Sequence, residues 1–169
     1  SSQRVLRFMK RLVLIRHAHA APGSNDHERP LTSRGIAEAK FIGGILCEQQ
    51  FFPSLMICST SLRTMTTASI IAQELSFPVS SILPEKKLYN TGEDDYFNVV
   101  QAIDDQHDCC YLFRHNFTIS NFLWQLTGSL HSEMVPCTAA VLAFDVEHWS
   151  AVRPKSALLD GYFQPEAHQ

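Results

Sequence analysis

Three things are scarce in this chain, and each scarcity removes a class of function. Positive charge is not in surplus: 14 Lys and Arg against 17 Asp and Glu leave a formal net charge of −3 and a pI near 6.2. A general nucleic-acid binder carries a basic face or stripe, so the balance argues against nucleic acid as a partner, and each cation at a key position needs a local reason. Long apolar runs are missing too. None approaches the ~20 residues that cross a bilayer, which argues against a membrane partner. Cysteine pairing motifs are the third absence. Cys47, Cys58, Cys109, Cys110 and Cys137 are odd in number and contain no C-x-x-C spacing. Cys58, Cys109 and Cys110 fall in apolar, strand-like stretches, where reduced cysteine packs as a small hydrophobe. That usage implies a reducing, cytoplasmic setting.

What is there describes one soluble globular domain. At 169 residues the chain is long enough for one well-cored unit and short for two, and 45% hydrophobic with 18% charged residues is ordinary globular composition. The domain is expected over residues 9–163, with residues 1–8 as an N-terminal extension and 164–169 as a frayed tail. Arg4, Arg7, Lys10 and Arg11 precede an apolar run in the manner of a secretory leader. Leu12 to Ile15 is too short for its hydrophobic region, however, and Arg16 closes it.

Buried strands and amphipathic helices alternate along the chain. Leu12-Val13-Leu14-Ile15 reads as a buried strand running into Arg16-His17-Ala18-His19. A breaker-rich loop follows, then a helix capped at Thr32 or Ser33 with Ile36, Ala39, Ile42, Ile45 and Leu46 at helical spacing, ending near Gln49. Ser54 to Cys58 is a second strand, and Ser59 to Thr64 open a helix carrying Met65, Ala68, Ile71, Ala72 and Leu75. Ser80 to Leu83 reads as a weaker third strand, Pro84 to Gly92 as a polar loop, and Glu93 to Asp104 as a helix whose acidic start Glu93-Asp94-Asp95 suits its dipole. Cys109 to Phe113 is the fourth strand, ending in Arg114-His115-Asn116, with Asn116 as N-cap of the next helix. Thr138 to Val146 is a strong strand, and His148 to Arg153 is expected to pair with it as a hairpin. The pattern predicts an α/β fold: a three-layer α/β/α sandwich with a mainly parallel central sheet.

Function follows from where the charged residues fall. In an open α/β sheet ligands bind beyond the carboxyl ends of the strands, and Arg16, His17, Arg63 and His115 all lie there, from three separate strands. Arginine offers a planar fork of donors for phosphate or carboxylate, and histidine is a nucleophile or proton carrier near neutral pH. Taken singly, Arg16 could cap a strand end, His17 could be a turn residue and Arg63 a surface residue. Arg63 is also in a helix's first turn, where the dipole disfavours a cation, so an anionic neighbour is expected beside it. Together, two arginines and two imidazoles are what a phosphoryl group needs: the arginines neutralise its oxygens, one imidazole attacks phosphorus and the other hydrogen-bonds an equatorial oxygen.

Four passages then carry a resemblance. Arg16-His17-Ala18 after a strand, Asp26-His27-Glu28-Arg29-Pro30-Leu31-Thr32-x-x-Gly35, Ser59-x-x-x-Arg63-x-x-x-Thr67 and His115-Asn116 together resemble the signature segments of the histidine phosphatase superfamily, most closely its small SixA-type phosphohistidine phosphatases. The resemblance covers about Met9 to Arg153 and implies a phosphoglycerate mutase-like fold. Carried over, it makes His17 the nucleophile, through a phosphohistidine intermediate, with Arg16, Arg63, His115 and Asn116 holding the phosphoryl group and no metal or other cofactor. A metal site of His17, His19 and His115 is the competing arrangement, disfavoured by two adjacent arginines that would repel the ion.

The resemblance is silent on one role. Larger relatives place an acidic residue in a Leu-x-Glu segment after the third strand, and Leu88-Tyr89-Asn90 puts an amide there; Glu85 is the alternative acid. A phosphorylated imidazole leaves with a proton it already carries, so it needs a protein acid less than an alkoxide does. The implied substrate is phosphohistidine in a phosphotransfer or signalling protein. The alternatives are a small phosphate ester and, without catalysis, a phospho-binding module. Thr60, Thr64, Arg114 and Phe117 depart from the family pattern. Arg114, a bulky cation where glycine is usual, is expected to reshape the turn or add a phosphate contact.

Overall fold

The computed structural model describes residues 8–23, 25–88 and 96–165. Its strands are β1 (Lys10–Arg16), β2 (Leu55–Cys58), β3 (Leu83–Pro84), β4 (Cys109–Arg114), β5 (Ala139–Phe144) and β6 (Leu158–Phe163), and its helices are α1 (Ser33–Glu48), α2 (Leu62–Glu74), α3 (Glu85–Leu88), α4 (Tyr96–Gln101) and α5 (Thr118–Thr127). Among the described residues these strands form one sheet in the order β3-β2-β4-β1-β5-β6. The first four run parallel, while β5 is antiparallel to β1 and β6 to β5.

Alternation along β1 decides which helices cover which face. Leu12 and Leu14 point into a core with Val99 and Val100 of α4 and Ile119, Phe122, Leu123 and Leu126 of α5. Val13 and Ile15 point the other way, among Ala39, Ile42 and Leu46 of α1 and Ala68, Ile71 and Ala72 of α2. All four β1 residues are fully buried, and each contributes roughly 1.5–3 kcal/mol by leaving water. The sheet therefore has helices on both faces, as the pattern predicts. Its register sets Arg16 beside Arg114, so the residues that follow, His17 and His115, emerge together at one edge.

Several local expectations are corrected. The partner of β5 is β6, not His148 to Arg153, which forms a 3-10 turn over Trp149–Ala151. Trp149 drives this: it is fully buried, its backbone N–H donates to Asp105 Oδ1 at 2.8 Å and its indole N–H to the His107 carbonyl at 2.8 Å. The β5–β6 ladder shifts register between Val141 and Leu142, and Gly161 sits in β6, so no clean alternation marks that strand.

The third strand shortens to Leu83–Pro84, because Val79–Ser81 is a 3-10 turn and Pro84 has no N–H to extend the ladder. The polar loop after it begins instead as α3. The helix expected from Glu93 is seen over Tyr96–Gln101, while Glu93, Asp94 and Asp95 lie outside the described residues, as do Tyr89 and Asn90. Asn116 does not cap α5; Phe117 occupies that position.

Candidate active site

His17 leaves β1 into a turn held on three sides. Its backbone N–H donates to the Arg114 carbonyl at 3.3 Å, its carbonyl accepts from Cys137 N–H at 3.0 Å, and Ala18 N–H donates to Thr67 Oγ1 at 3.0 Å. Thr67 in turn donates to the Arg63 carbonyl, 2.8 Å away. The two motif segments are thus bolted together by one threonine.

The imidazole is 9% exposed, and its tautomer follows from its neighbours. Nδ1 lies 2.8 Å from the Ala18 carbonyl, which can only accept, so Nδ1 carries the proton and Nε2 keeps a free lone pair. Arg63 Nε–H donates to that lone pair across 3.3 Å. Burial, joined by the charges of Arg63, Arg16 and His115 and opposed by the Ala18 hydrogen bond, brings the His17 pKa down to about 4 from 6.5. The His17 imidazole is consequently uncharged at neutral pH.

That shift has a sign that can be checked. Between pH 6.5 and about 4 the unfolded chain binds a proton at His17 that the folded chain refuses, so folding stability falls as pH drops through this window. NMR titration of the His17 ring is expected to give a midpoint near 4. The stability difference between pH 7 and pH 5 in urea melts should shrink in His17→Asn. A ring titrating at 6.5 or above would contradict the burial argument.

Arg63, 7% exposed in the first turn of α2, has the anionic neighbour its position calls for. Asp26 accepts from Nη1 through its carbonyl at 2.5 Å and from Nη2 through Oδ2 at 3.2 Å. The Asp26 carboxyl is held below its usual range by hydrogen bonding from Arg29 and by the charge of Arg63. Ala20 and Leu31, on either side of Asp26, pair as a bridge, and Arg29 Nε donates to the Ala21 carbonyl at 2.8 Å. The loop after β1 is therefore folded over the α2 N-terminus.

Arg16 donates from Nη1 to the Met134 carbonyl at 2.8 Å, and its buried Nε has no hydrogen-bond partner among the described residues. Burial lowers its pKa, with Glu133 acting in the opposite sense. His115 follows β4 and is half-buried, near enough to His17 to act on its charge. Arg16, His17, Arg63 and His115 thus come together at one edge of the sheet.

The other expected site residues have different partners. Asn116 donates from Nδ2 to Glu133 Oε1 at 3.1 Å and accepts from the Ser120 hydroxyl. Glu85 is ion-paired with Arg114, whose guanidinium also lies over the Tyr96 ring with its centroid 4.9 Å away. Arg114 therefore anchors the start of α3 to the end of β4. His19 Nδ1 meets Thr32 Oγ1 at 2.8 Å, which places it at the cap of α1.

That cap explains Gly35. Thr32 Oγ1 accepts from Gly35 N–H at 3.1 Å, and a Cβ on Gly35 would sit 2.1 Å from the His19 carbonyl oxygen. Gly35→Ala is expected to cost about 3 kcal/mol, a fall of roughly 6–12 °C in Tm for a domain of this size, measurable by differential scanning calorimetry. A midpoint within a degree of the parent would contradict the packing.

Asp26, Glu38, Ser120 and Glu133 acquire site roles that the sequence reading leaves unassigned. Glu38 is 3% exposed and accepts the His19 N–H at 3.0 Å, with Arg34 beside it at 3.4 Å. Its signal was a carboxylate on the apolar stripe of α1, and Ser120 stands on the stripe of α5 in the same way. Elsewhere burial pushes the Cys58, Cys110 and Cys137 thiols up, in keeping with cysteine as a packed hydrophobe.

Part of this site, Arg16, His17 and Arg63 but not His115, lies within a match to a known family. A family model described as "Histidine phosphatase superfamily (branch 1)" matches residues 12–87. Uncharacterized protein ML1117 of Mycobacterium leprae (strain TN) is 30% identical over 104 residues, 62% of this chain and 62% of that protein. The match thus spans less than two thirds of that relative's length.

Among solved structures, a candidate phosphohistidine phosphatase SixA from Nakamurella multipartitia superposes with a TM-score of 0.77 at 25% identity, over 94% of this chain and 97% of the other. The protein histidine phosphatase SixA complexed with tungstate gives 0.78 at 19% identity, over 94% and 99%. The mycobacterial glucosyl-3-phosphoglycerate phosphatase Rv2419c gives 0.63 at 14% identity, over 90% and 97%.

Proposed function

We propose that this chain is a histidine phosphatase whose nucleophile is His17 and whose preferred substrate is phosphohistidine in a protein, a reading supported by the match of residues 12–87 to the histidine phosphatase superfamily model and by the likeness to the Nakamurella SixA structure. The observation that carries the reading is the His17 ring: Nδ1–H fixed on the Ala18 carbonyl, the Nε2 lone pair turned toward Arg63, and a second imidazole and a second arginine alongside.

In the first step Arg63, keeping its proton, redirects its Nε–H hydrogen bond from His17 Nε2 to an oxygen of the incoming phosphoryl group. His17 Nε2 then attacks phosphorus in line, the bond from phosphorus to the leaving atom breaks, and its electron pair departs with that atom. Arg16, Arg63 and His115 hold the equatorial oxygens as charge builds on them. In the second step a water oxygen attacks phosphorus and the P–N bond breaks, returning its electrons to Nε2. The water's proton leaves with phosphate or solvent. The positive charge comes from the two guanidinium groups, so the chemistry proceeds without a metal.

The leaving group favours phosphohistidine. Glu85, one sequence candidate for the acid, is committed to Arg114. A protonated phosphoimidazole departs as neutral imidazole and needs no donor, whereas an alkoxide does. Likeness in fold to a sugar-phosphoglycerate phosphatase makes small phosphate esters the comparison class.

The test is a panel of a histidine-phosphorylated carrier protein, aryl phosphates and alkyl phosphates, assayed with excess chelator. The expected order is phosphohistidine and aryl phosphate well ahead of alkyl phosphate, unaffected by chelator. Preference for alkyl esters, or loss of activity on chelation, would overturn the reading.

A further inference from the structure

A fully buried hydroxyl with no part in the steps above lies between two halves of the site. Ser120 of α5 is 0% exposed among Ile119, Phe122 and Leu123, where a polar group costs free energy unless hydrogen-bonded. Its Oγ–H donates to Asn116 Oδ1, and its Oγ accepts the Met134 N–H at 3.0 Å. Met134 is itself fully buried, and its carbonyl accepts the Arg16 Nη1–H at 2.8 Å. Asn116, next to His115, completes the connection and ties down Glu133 at 3.1 Å.

We propose that Ser120 is a positioning residue that couples the His115 turn to Arg16 through the Met134 backbone. The proposal rests on the phosphoryl-binding role of Arg16 given above. Its physical basis is that, among the described residues, Arg16 has a single protein hydrogen bond to aim its fork, on Nη1, and the acceptor belongs to the loop before β5, outside regular structure. Ser120 holds the Met134 N–H, one peptide before that carbonyl, from the α5 side. The direction of the Arg16 guanidinium is then set by that one contact with the Met134 carbonyl. Asn116 supplies the acceptor that orients the Ser120 hydroxyl.

The test is a double-mutant cycle with inorganic tungstate as the probe, measured by isothermal titration calorimetry on the full chain. Ser120→Ala is expected to weaken tungstate binding about tenfold, Arg16→Ala to weaken it more, and the double variant to bind no worse than Arg16→Ala alone. An equal Ser120→Ala effect in both backgrounds, or none in either, would overturn the coupling while leaving the site intact. Arg16→Ala without effect on tungstate would overturn the reading of the site itself. Should Ser120→Ala fail to fold, Asn116→Ala enters the same cycle with the same expected loss of effect when Arg16 is absent.

Discussion

Alanine at position 17 is expected to lower kcat on any accepted substrate by about 10⁴-fold or more, the scale on which removal of a nucleophile acts. Its Nδ1 is spent on the Ala18 carbonyl and its backbone on Arg114 and Cys137, which leaves Nε2, held by the Arg63 Nε–H, as the ring nitrogen with a lone pair. The side chain is nearly buried among cations, so its removal relieves desolvation and folding should survive. Steady-state assays at saturating substrate, with circular dichroism on the same sample, separate the two. Residual activity within a hundredfold of the parent would contradict the assignment.

Arg63→Ala is expected to be the next most damaging change, with a loss of about 10²- to 10⁴-fold in kcat/KM. Lysine should recover little. The guanidinium serves His17 from Nε and Asp26 from both terminal nitrogens, and one ammonium cannot satisfy three directions. A second readout accompanies the loss. The charge of Arg63 helps hold the His17 pKa down, so the His17 ring should titrate at higher pH in Arg63→Ala. An unchanged titration with reduced activity would place Arg63 away from the nucleophile.

The site was largely legible because its residues sit at boundaries that sequence marks strongly. A four-residue apolar run ending in Arg16-His17, and another ending in Arg114-His115, locate the strand ends, and helical spacing after Arg63 puts it in a first turn. The expected anion beside Arg63 was sound electrostatics; that it is Asp26 depends on how a loop folds back, which no periodicity encodes. Arg114 shows the limit from the other side. Its size and charge suggested a phosphate contact, but at the end of β4 it meets Glu85 and the Tyr96 ring, a partnership assembled from residues far apart in the chain.

The fold repeats that lesson. Strands buried on both faces, such as β1 and β4, are visible as continuous apolar runs. The edge strands are not: β3 is two residues long and ends in proline, and β6 contains Gly161 and pairs across a register shift. Trp149 looked like a strand residue, and its burial over a 3-10 turn depends on Asp105 and His107 arriving from another segment. Asn116 reads as an N-cap by type, yet the helix begins one residue too late for it to serve.

The most direct test of the central claim is to trap the intermediate. Mixing the enzyme with ³²P-labelled substrate and quenching in alkali within milliseconds should leave label on the protein with the acid-labile, base-stable behaviour of a phosphoimidazole, mapped by peptide analysis to His17 and absent from His17→Ala. Label on any other residue, or turnover with no labelled protein at any quench time, would contradict it.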